Sequence, residues 1–116
     1  MATLLYIEDH PPAQLLMQAI ISELTAHDLT CAQTGEEALQ MATRNLFDLY
    51  IVDLDLPDTD GLTLAKALTG IHPVPVILVS AYAEAIKSEG LSYSYLAKPL
   101  DPNDVAEIIQ WALAGQ

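Results

Sequence analysis

Short apolar runs rich in β-branched and aromatic residues recur along the chain. They cover about Thr3 to Ile7, Leu29 to Ala32, Phe47 to Val52, Val76 to Val79 and Tyr93 to Ala97. A strand that is apolar at almost every position suits a parallel sheet, because helices then cover both of its faces. The runs therefore predict five buried strands in one sheet.

Amphipathic segments lie between these runs and predict helices. The first segment has an apolar stripe at helical spacing, formed by Ala13, Leu16, Met17, Ile20, Ile21 and Leu24. The second begins at Thr34, whose hydroxyl can form a capping box with Glu37. The last begins with Asp101 and Pro102, and its apolar positions are Val105, Ile108, Ile109, Ala112 and Leu113. Strand and helix alternate throughout, which predicts a single α/β domain over residues 1–116 with (βα)5 order.

Composition and charge narrow the class of protein. The 116 residues are 52% apolar, which is enough for one core, and the lone cysteine, Cys31, excludes a disulfide framework and suits a small buried thiol. The formal net charge of −12 argues against direct binding to nucleic acid or to an anionic membrane. No apolar stretch is long enough to span a bilayer and no leader is visible, so we expect a cytoplasmic protein.

Polar residues follow four of the predicted strands. Glu8 and Asp9 follow the first, Asp53 the third, Ser80 the fourth and Lys98 the fifth. Parallel strands end at one edge of a sheet, where ligands of open α/β folds bind. Carboxylates gathered there repel by about 1 kcal/mol per pair in water and by more as water is excluded. A hard divalent cation with oxygen ligands resolves that conflict, so the pattern predicts a Mg²⁺ or Mn²⁺ site.

The whole chain resembles a receiver domain of two-component response regulators, of the chemotaxis type. The resemblance rests on Ile7-Glu8-Asp9, Val52-Asp53-Leu54-Asp55-Leu56-Pro57, Asp60-Gly61, Ser80-Ala81 and Tyr95-Leu96-Ala97-Lys98-Pro99. It implies a flavodoxin-like, doubly wound sandwich with a five-stranded parallel sheet in the order 2-1-3-4-5 and a cis Lys98-Pro99 bond. Lys98 follows Ser80 by 18 residues, fewer than is usual in the family, so the fourth helix, around Glu84 to Glu89, is expected to be short.

The resemblance also implies the chemistry of the site. Asp53 would be the phosphoacceptor, receiving its phosphoryl group from a histidine kinase or a histidine phosphotransfer protein. Asp9, Asp53 and the backbone carbonyl of Asp55 would bind magnesium, and Glu8 would act through a water molecule. Lys98 would pair with the phosphoryl oxygens. Any self-dephosphorylation would reset the domain, so a turnover enzyme is not expected.

A switch is implied as well. The Ser80 hydroxyl and the Ala81 backbone amide would bind the new phosphate, and Tyr95 would move into the space that Ser80 leaves. The face formed by the fourth helix, the fifth strand and the fifth helix would then change shape and signal to a downstream protein or a fused output domain. The same face is a candidate surface for homodimerisation. Trp111 lies off the apolar stripe of the last helix, and His10, His27 and His72 are expected at the surface.

Two other classes of function stay open. A receiver-like interaction module could keep this fold without being phosphorylated. The Asp53-Leu54-Asp55 segment after an apolar strand also resembles the nucleophile motif of haloacid-dehalogenase-type phosphatases, with Ser80 and Lys98 as later motifs. That interpretation leaves Glu8 and Asp9 without a role, and 116 residues leave no cap domain to enclose a substrate.

Overall fold

The structure is a computed structural model that describes residues 1–81 and 93–115. Its strands are β1 (Thr3–Ile7), β2 (Asp28–Ala32), β3 (Leu49–Asp53), β4 (Val76–Ser80) and β5 (Ser94–Ala97). Its helices are α1 (Pro11–Leu24), α2 (Gly35–Arg44), α3 (Gly61–Ile71) and the C-terminal helix (Pro102–Leu113). The third strand begins at Leu49 and includes Asp53, whereas the sequence predicted Phe47 to Val52. The predicted fourth helix, around Glu84 to Glu89, lies outside the described residues.

The five strands form one parallel sheet in the order β2-β1-β3-β4-β5, as expected. From β1 the chain continues to β2 on one side of the sheet, and then to β3, β4 and β5 on the other side. The order of the strands therefore reverses between β1 and β3. Such a switch point opens a crevice beyond the carboxyl ends of the two strands. Glu8 and Asp9 follow β1 and Asp53 ends β3, so the topology brings these acids together.

Two apolar clusters cover the two faces of the sheet. One is formed with α1 and the C-terminal helix, and its buried residues are Leu4, Tyr6, Met17, Ile20, Ile21, Leu49, Ile51, Ile77, Val79, Leu96, Val105, Ile109 and Ala112. The other is formed with α2 and α3, and its buried residues are Leu5, Ile7, Ala32, Ala38, Ala42, Phe47, Tyr50, Val52, Leu64, Ala65, Leu68, Val76 and Leu78. Successive strand residues alternate between the clusters, as the pleat of a strand requires. The polar site therefore lies at the edge of a sheet that is rigidly packed on both faces.

The stripe predicted for α1 is wider than the surface that α1 buries. Met17, Ile20 and Ile21 are buried, but Leu16 is 45% exposed and Leu24 is 47% exposed. Leu16 lies at the angular margin of the stripe, and Leu24 is the last residue of the helix. Apolar spacing identified the correct face and overstated its extent.

The helix caps lie at the positions that the sequence predicts, but one of them has a different hydrogen-bond partner. The amide of Glu37 donates to the Thr34 hydroxyl at 3.1 Å, as predicted. The Glu37 carboxylate, however, accepts from the Gln33 amide at 2.9 Å, one residue before the N-cap. At the C-terminal helix, Asp101 is the N-cap and its carboxylate accepts from two amides of the first turn.

Several residues expected to be plain surface or core differ in detail. His27 is half-buried, and its Nδ1 accepts from the Ala2 amide at 2.9 Å. Cys31 is half-buried, and its Sγ accepts from Gln18 at 3.6 Å. Trp111 is 51% exposed, off the buried stripe as predicted. No helix within the described ranges is both long and apolar enough to cross a membrane.

Candidate functional site

Asp53, the last residue of β3, is at the centre of the polar cluster. Its side chain is only 1% exposed, and both of its oxygens accept hydrogen bonds. Oδ2 accepts from the Lys98 ammonium at 2.8 Å, and Oδ1 accepts from the Asp55 amide at 2.9 Å. A buried carboxylate is stable only when donors replace the water it has lost. These two donors meet that requirement.

Lys98 reaches Asp53 because β5 ends beside β4. Ala97 pairs with Ser80 in the sheet, and the Lys98 amide donates to the Ser80 carbonyl at 3.0 Å. The Lys98–Pro99 peptide bond is cis, as the resemblance implies. The ammonium is also 3.7 Å from Glu8 Oε1, so one cation faces two buried carboxyl groups.

Glu8 and Asp9 hold buried oxygens whose charged neighbours, Lys98 and His10, lie at 3.3–3.7 Å without forming hydrogen bonds to them. Both carboxyl oxygens of Glu8 and Oδ1 of Asp9 are buried and have no hydrogen-bond partner among the described residues. Leaving buried polar atoms unpaired costs roughly 1–3 kcal/mol each. A native structure tolerates such a cost where a ligand or ion completes the site, so these oxygens indicate a place for a bound cation.

The pKa values of Glu8 and Asp53 are shifted in opposite directions. Burial, followed by interaction with Asp53, raises the pKa of Glu8 to about 8. Burial would also raise the pKa of Asp53, but interaction with Glu8 and the hydrogen bonds from Lys98 and Asp55 outweigh it and lower that pKa. Lys98 keeps its charge because Asp53 and Glu8 raise its pKa against the effect of burial. At neutral pH, without a metal, Asp53 is therefore ionised and Glu8 is largely protonated.

The oxygen-rich chemistry of the cluster fits a hard divalent cation. Side-chain ligand atoms of Glu8, Asp9 and His10 lie within 4.8 Å of one another. Magnesium selects carboxylate and carbonyl oxygens, and three unpaired buried oxygens are available here. His10, predicted at the surface, is 70% exposed with Nδ1 at 3.3 Å from Asp9 Oδ1. Its position directly after Glu8-Asp9 was the signal that could have linked it to the cluster.

The turn after Asp53 depends on a close backbone approach at Gly61. The Gly61 amide donates to the Leu54 carbonyl at 3.1 Å. A Cβ at position 61 would lie 2.6 Å from the Asp53 carbonyl oxygen and 2.7 Å from the Leu54 Cα. Only glycine permits the first turn of α3 to pack this tightly against the end of β3.

The predicted switch residues lie on one face of the sheet. Ser80 is 4% exposed at the end of β4. Tyr95 pairs with Leu78 across β4 and β5, is half-buried, and packs against the cluster formed with α2 and α3. Ser80 follows Leu78 by two residues and therefore points to the same face. Ala81 is exposed and directly follows Ser80, the last residue of β4.

One contact near the site was not anticipated from sequence. Asp58, in the loop between β3 and α3, accepts hydrogen bonds from the backbone amides of Gly35 and Glu36, at 2.9 and 3.0 Å. The acidic composition of the loop and the cap position of Thr34 were visible in the sequence. Their meeting was not, because it joins residues 23 positions apart.

Comparison with known proteins gives consistent matches over nearly the whole chain. The family model of the response regulator receiver domain matches residues 4–110. Transcriptional regulatory protein ZraR of Escherichia coli (strain K12) is 28% identical over 118 residues, covering 96% of this chain and 26% of ZraR. Signal transduction histidine-protein kinase BarA of the same organism is 31% identical over 107 residues, covering 85% of this chain and 11% of BarA. The chain thus matches one part of each of these longer proteins.

A solved structure extends the match to three dimensions. The receiver domain of sensor histidine kinase PA1611 from Pseudomonas aeruginosa PAO1 has a TM-score of 0.86 and is 26% identical, covering 97% of this chain and 98% of that one. That structure has a magnesium ion coordinated in its active site cleft. From the family match over residues 4–110, the fold and these relatives, we conclude that the chain belongs to the response regulator receiver domain family of two-component signalling.

Proposed function

We propose that this chain is a phospho-accepting receiver domain in which Asp53 takes a phosphoryl group from a phosphohistidine. The donor would be a histidine kinase or a histidine phosphotransfer protein. One observation carries the proposal: Asp53 is 1% exposed and yet held ionised by Lys98, beside buried carboxyl oxygens that lack partners. Buried carboxyl oxygens usually have hydrogen-bond partners, so those beside Asp53 support a site that a ligand completes.

The chemistry asks little of the protein beyond placement and charge. A carboxylate oxygen of Asp53 forms a bond to phosphorus while the bond from phosphorus to the histidine nitrogen breaks. The electron pair of that bond stays on the imidazole. Such transfers depend on in-line positioning and on neutralising the phosphoryl oxygens. Lys98, whose ammonium is 2.8 Å from Asp53, supplies a fixed positive charge for those oxygens.

Divalent metal would complete the site. Asp9, Asp53 and the Asp55 backbone carbonyl would hold Mg²⁺ or Mn²⁺, with Glu8 acting through water. A metal bound there supplies further positive charge for the phosphoryl oxygens. The unpaired oxygens of Glu8 and Asp9 support this assignment, as does the magnesium ion in the related PA1611 receiver. Ionisation of Glu8 would accompany metal binding, since its pKa is raised in the metal-free site.

Phosphorylation would be passed on as a change in the surface that includes β5 and the C-terminal helix. The Ser80 hydroxyl and the Ala81 amide would bind the phosphate, and Tyr95, on the same face as Ser80, would follow. The face that includes β5 and the C-terminal helix would then contact a downstream protein, a fused output domain or a second copy of the chain. We propose that residues 1–116 form one such receiver in the cytoplasm, and that it resets by losing its phosphate and does not turn over a substrate.

The proposal is tested by phosphorylation with a small donor. The wild-type protein is incubated with acetyl phosphate and magnesium, and its intact mass is measured before and after mild acid or base treatment. We expect a labile phosphate adduct that requires magnesium. Asp53→Asn should give no adduct, because it removes the attacking carboxylate and keeps the shape of the side chain.

Asp55→Asn is the matched control. Asp55 is two residues away and its carboxylate is exposed, and only its backbone has a proposed role, so this variant should still be phosphorylated. Absence of an adduct on the wild type would contradict the proposal and favour a pure interaction module. Steady hydrolysis of a generic phosphate ester would favour a phosphatase.

A further inference from the structure

The loop between β3 and α3 is tied to a helix that is distant in sequence. Residues 54–60 form this loop, here called the β3–α3 loop, and Asp58 is its fifth residue. Asp58 Oδ1 accepts from the Gly35 amide at 2.9 Å, and Oδ2 accepts from the Glu36 amide at 3.0 Å. Gly35 and Glu36 are the first two residues of α2. One side chain thus joins the two elements through both of its oxygens.

The contact has the chemistry of a strong helix cap. The first amides of a helix have no partner within the helix, and the helix dipole favours negative charge there. Thr34, the N-cap of α2, satisfies only the Glu37 amide. Asp58 supplies acceptors for the two amides that remain at the start of the helix. The same hydrogen bonds lower the pKa of Asp58, so it is ionised at neutral pH.

Packing closes the loop against α2 as well. A Cβ on Gly35 would lie 2.6 Å from the Thr59 Cγ2 methyl group and 3.4 Å from Asp58 Oδ1. The Thr59 methyl group occupies the place that a Cβ on Gly35 would need. The loop is therefore in direct contact with the backbone of α2, and Asp58 and Thr59 both lie in the contact.

The other side of the loop faces the phosphoacceptor. The Asp55 amide donates to Asp53 Oδ1 at 2.9 Å, and Asp55 forms an antiparallel bridge with Asp60 across the loop. A displacement of the loop would move the Asp55 backbone relative to Asp53. The same backbone carries the carbonyl oxygen proposed as a magnesium ligand.

We propose that Asp58 is a positioning residue that holds the β3–α3 loop against α2 and so fixes the Asp55 backbone for metal binding. The inference rests on the proposed function, since it concerns the same metal site. The carboxylate of Asp58 bonds to amides of α2 and has no assigned role as a metal ligand or as the phosphoacceptor. It acts because, without the two hydrogen bonds of Asp58, the middle of the loop is no longer held against α2, and the Asp55 carbonyl then varies more in position. Metal affinity falls when ligands are not pre-organised.

Two variants of the same helix N-terminus separate positioning from plain stability. Asp58→Ala removes the cap that comes from the loop, and Thr34→Ala removes the cap that comes from the helix's own N-cap residue. Both should lower Tm. Magnesium affinity, measured by calorimetric titration of the folded protein, should fall about tenfold in Asp58→Ala and stay within about twofold of wild type in Thr34→Ala. Asp58→Asn keeps one acceptor oxygen and should give an intermediate value.

A metal-free measurement supplies the second readout. Amide hydrogen exchange at Asp55 should be faster in Asp58→Ala than in wild type and unchanged in Thr34→Ala, because Asp58 joins the loop to α2 whereas Thr34 caps α2 without bonding to the loop. Equal magnesium affinity in wild type and Asp58→Ala, or equal losses in both alanine variants, would overturn the positioning role alone. If wild type itself bound no magnesium, the metal site of the proposed function would fail, and this inference with it.

Discussion

Polar side chains have different roles where the parallel strands begin, here called the amino edge of the sheet, and where they end, called the carboxyl edge. At the amino edge, Asp48 Oδ2 accepts from the Thr3 amide at 2.8 Å, and His27 Nδ1 accepts from the Ala2 amide at 2.9 Å. At the carboxyl edge, Glu8 and Asp9 present buried oxygens that no described residue satisfies. Asp48 and His27 thus fix the chain at one edge, whereas oxygens of Glu8 and Asp9 lack hydrogen-bond partners among the described residues at the other.

The difference separates an acid that pairs within the fold from acids that the proposed function assigns to a metal. A carboxylate that accepts backbone amides contributes to stability through those bonds. A buried carboxyl group without donors lowers stability until a cation arrives. The stability of the amino edge should therefore be insensitive to metal and sensitive to the loss of Asp48. The carboxyl edge should behave in the opposite way.

The largest difference in the free energy of unfolding should be between alanine variants of two glycines at opposite ends of α3. Gly61→Ala places a Cβ 2.6 Å from the Asp53 carbonyl oxygen and should destabilise the protein by about 2 kcal/mol or more, as overpacking against backbone does. At Gly70, near the other end of the helix, a Cβ would have no neighbour within 4 Å, and Gly70→Ala should stabilise by about 0.5–1 kcal/mol. Urea unfolding of the two variants and wild type measures both values.

The glycine pair also tests the geometry of the site. Because Gly61→Ala displaces the backbone that carries Asp53 and Leu54, its phosphorylation by acetyl phosphate should be slower at magnesium concentrations that saturate wild type. Gly70→Ala should phosphorylate at the wild-type rate. Equal stability of the two alanine variants would mean that the close approach at Gly61 is not a constraint on the fold.

Per pH unit, a smaller effect on stability is expected from the titration of Glu8 in metal-free protein. Its pKa is about 8 in the folded state against an ordinary value of 4.5, so the folded state holds more protons between these values. The free energy of unfolding should then fall as pH rises from 4.5 to 8, by up to about 1.4 kcal/mol per pH unit. Glu8→Gln, which cannot ionise, should lack this decline.

The measurement is unfolding in the presence of a chelator at pH 5.5, 6.5 and 7.5, roughly one pH unit apart so that each step can be compared with the expected slope. The difference between wild type and Glu8→Gln isolates Glu8 from the other titrating groups. Parallel curves for the two proteins would show that Glu8 is ionised in the folded protein, and that its burial is compensated in some other way.

Much of the fold was predictable because it depends on local patterns. Apolar runs located the strands to within one or two residues, and cap residues such as Thr34 and Asp101 located helix starts. The exposure of Leu16 and Leu24 was not predictable, because it depends on how far the sheet extends beneath α1. Periodicity fixes the direction of a buried face and leaves its width to tertiary packing.

The site was predictable to the extent that its residues follow strands. Glu8, Asp53 and Lys98 meet because parallel strands end at one edge and the strand order places β1, β3 and β5 close enough for their side chains to touch. Asp58 and Gly35 meet for a different reason, the packing of a loop against a helix 23 residues away. No periodicity or motif encodes that contact, so it became visible only in the structure.

Thermal unfolding with and without magnesium shows whether the carboxyl edge holds a divalent cation and the amino edge does not. At ten times its Kd, magnesium should stabilise wild type by about 1.4 kcal/mol. Asp9→Asn should lose this increase, whereas Asp48→Ala should have a lower Tm and keep it. If magnesium did not stabilise wild type, or if its effect survived in Asp9→Asn and disappeared in Asp48→Ala, the cation would not bind at the carboxyl edge.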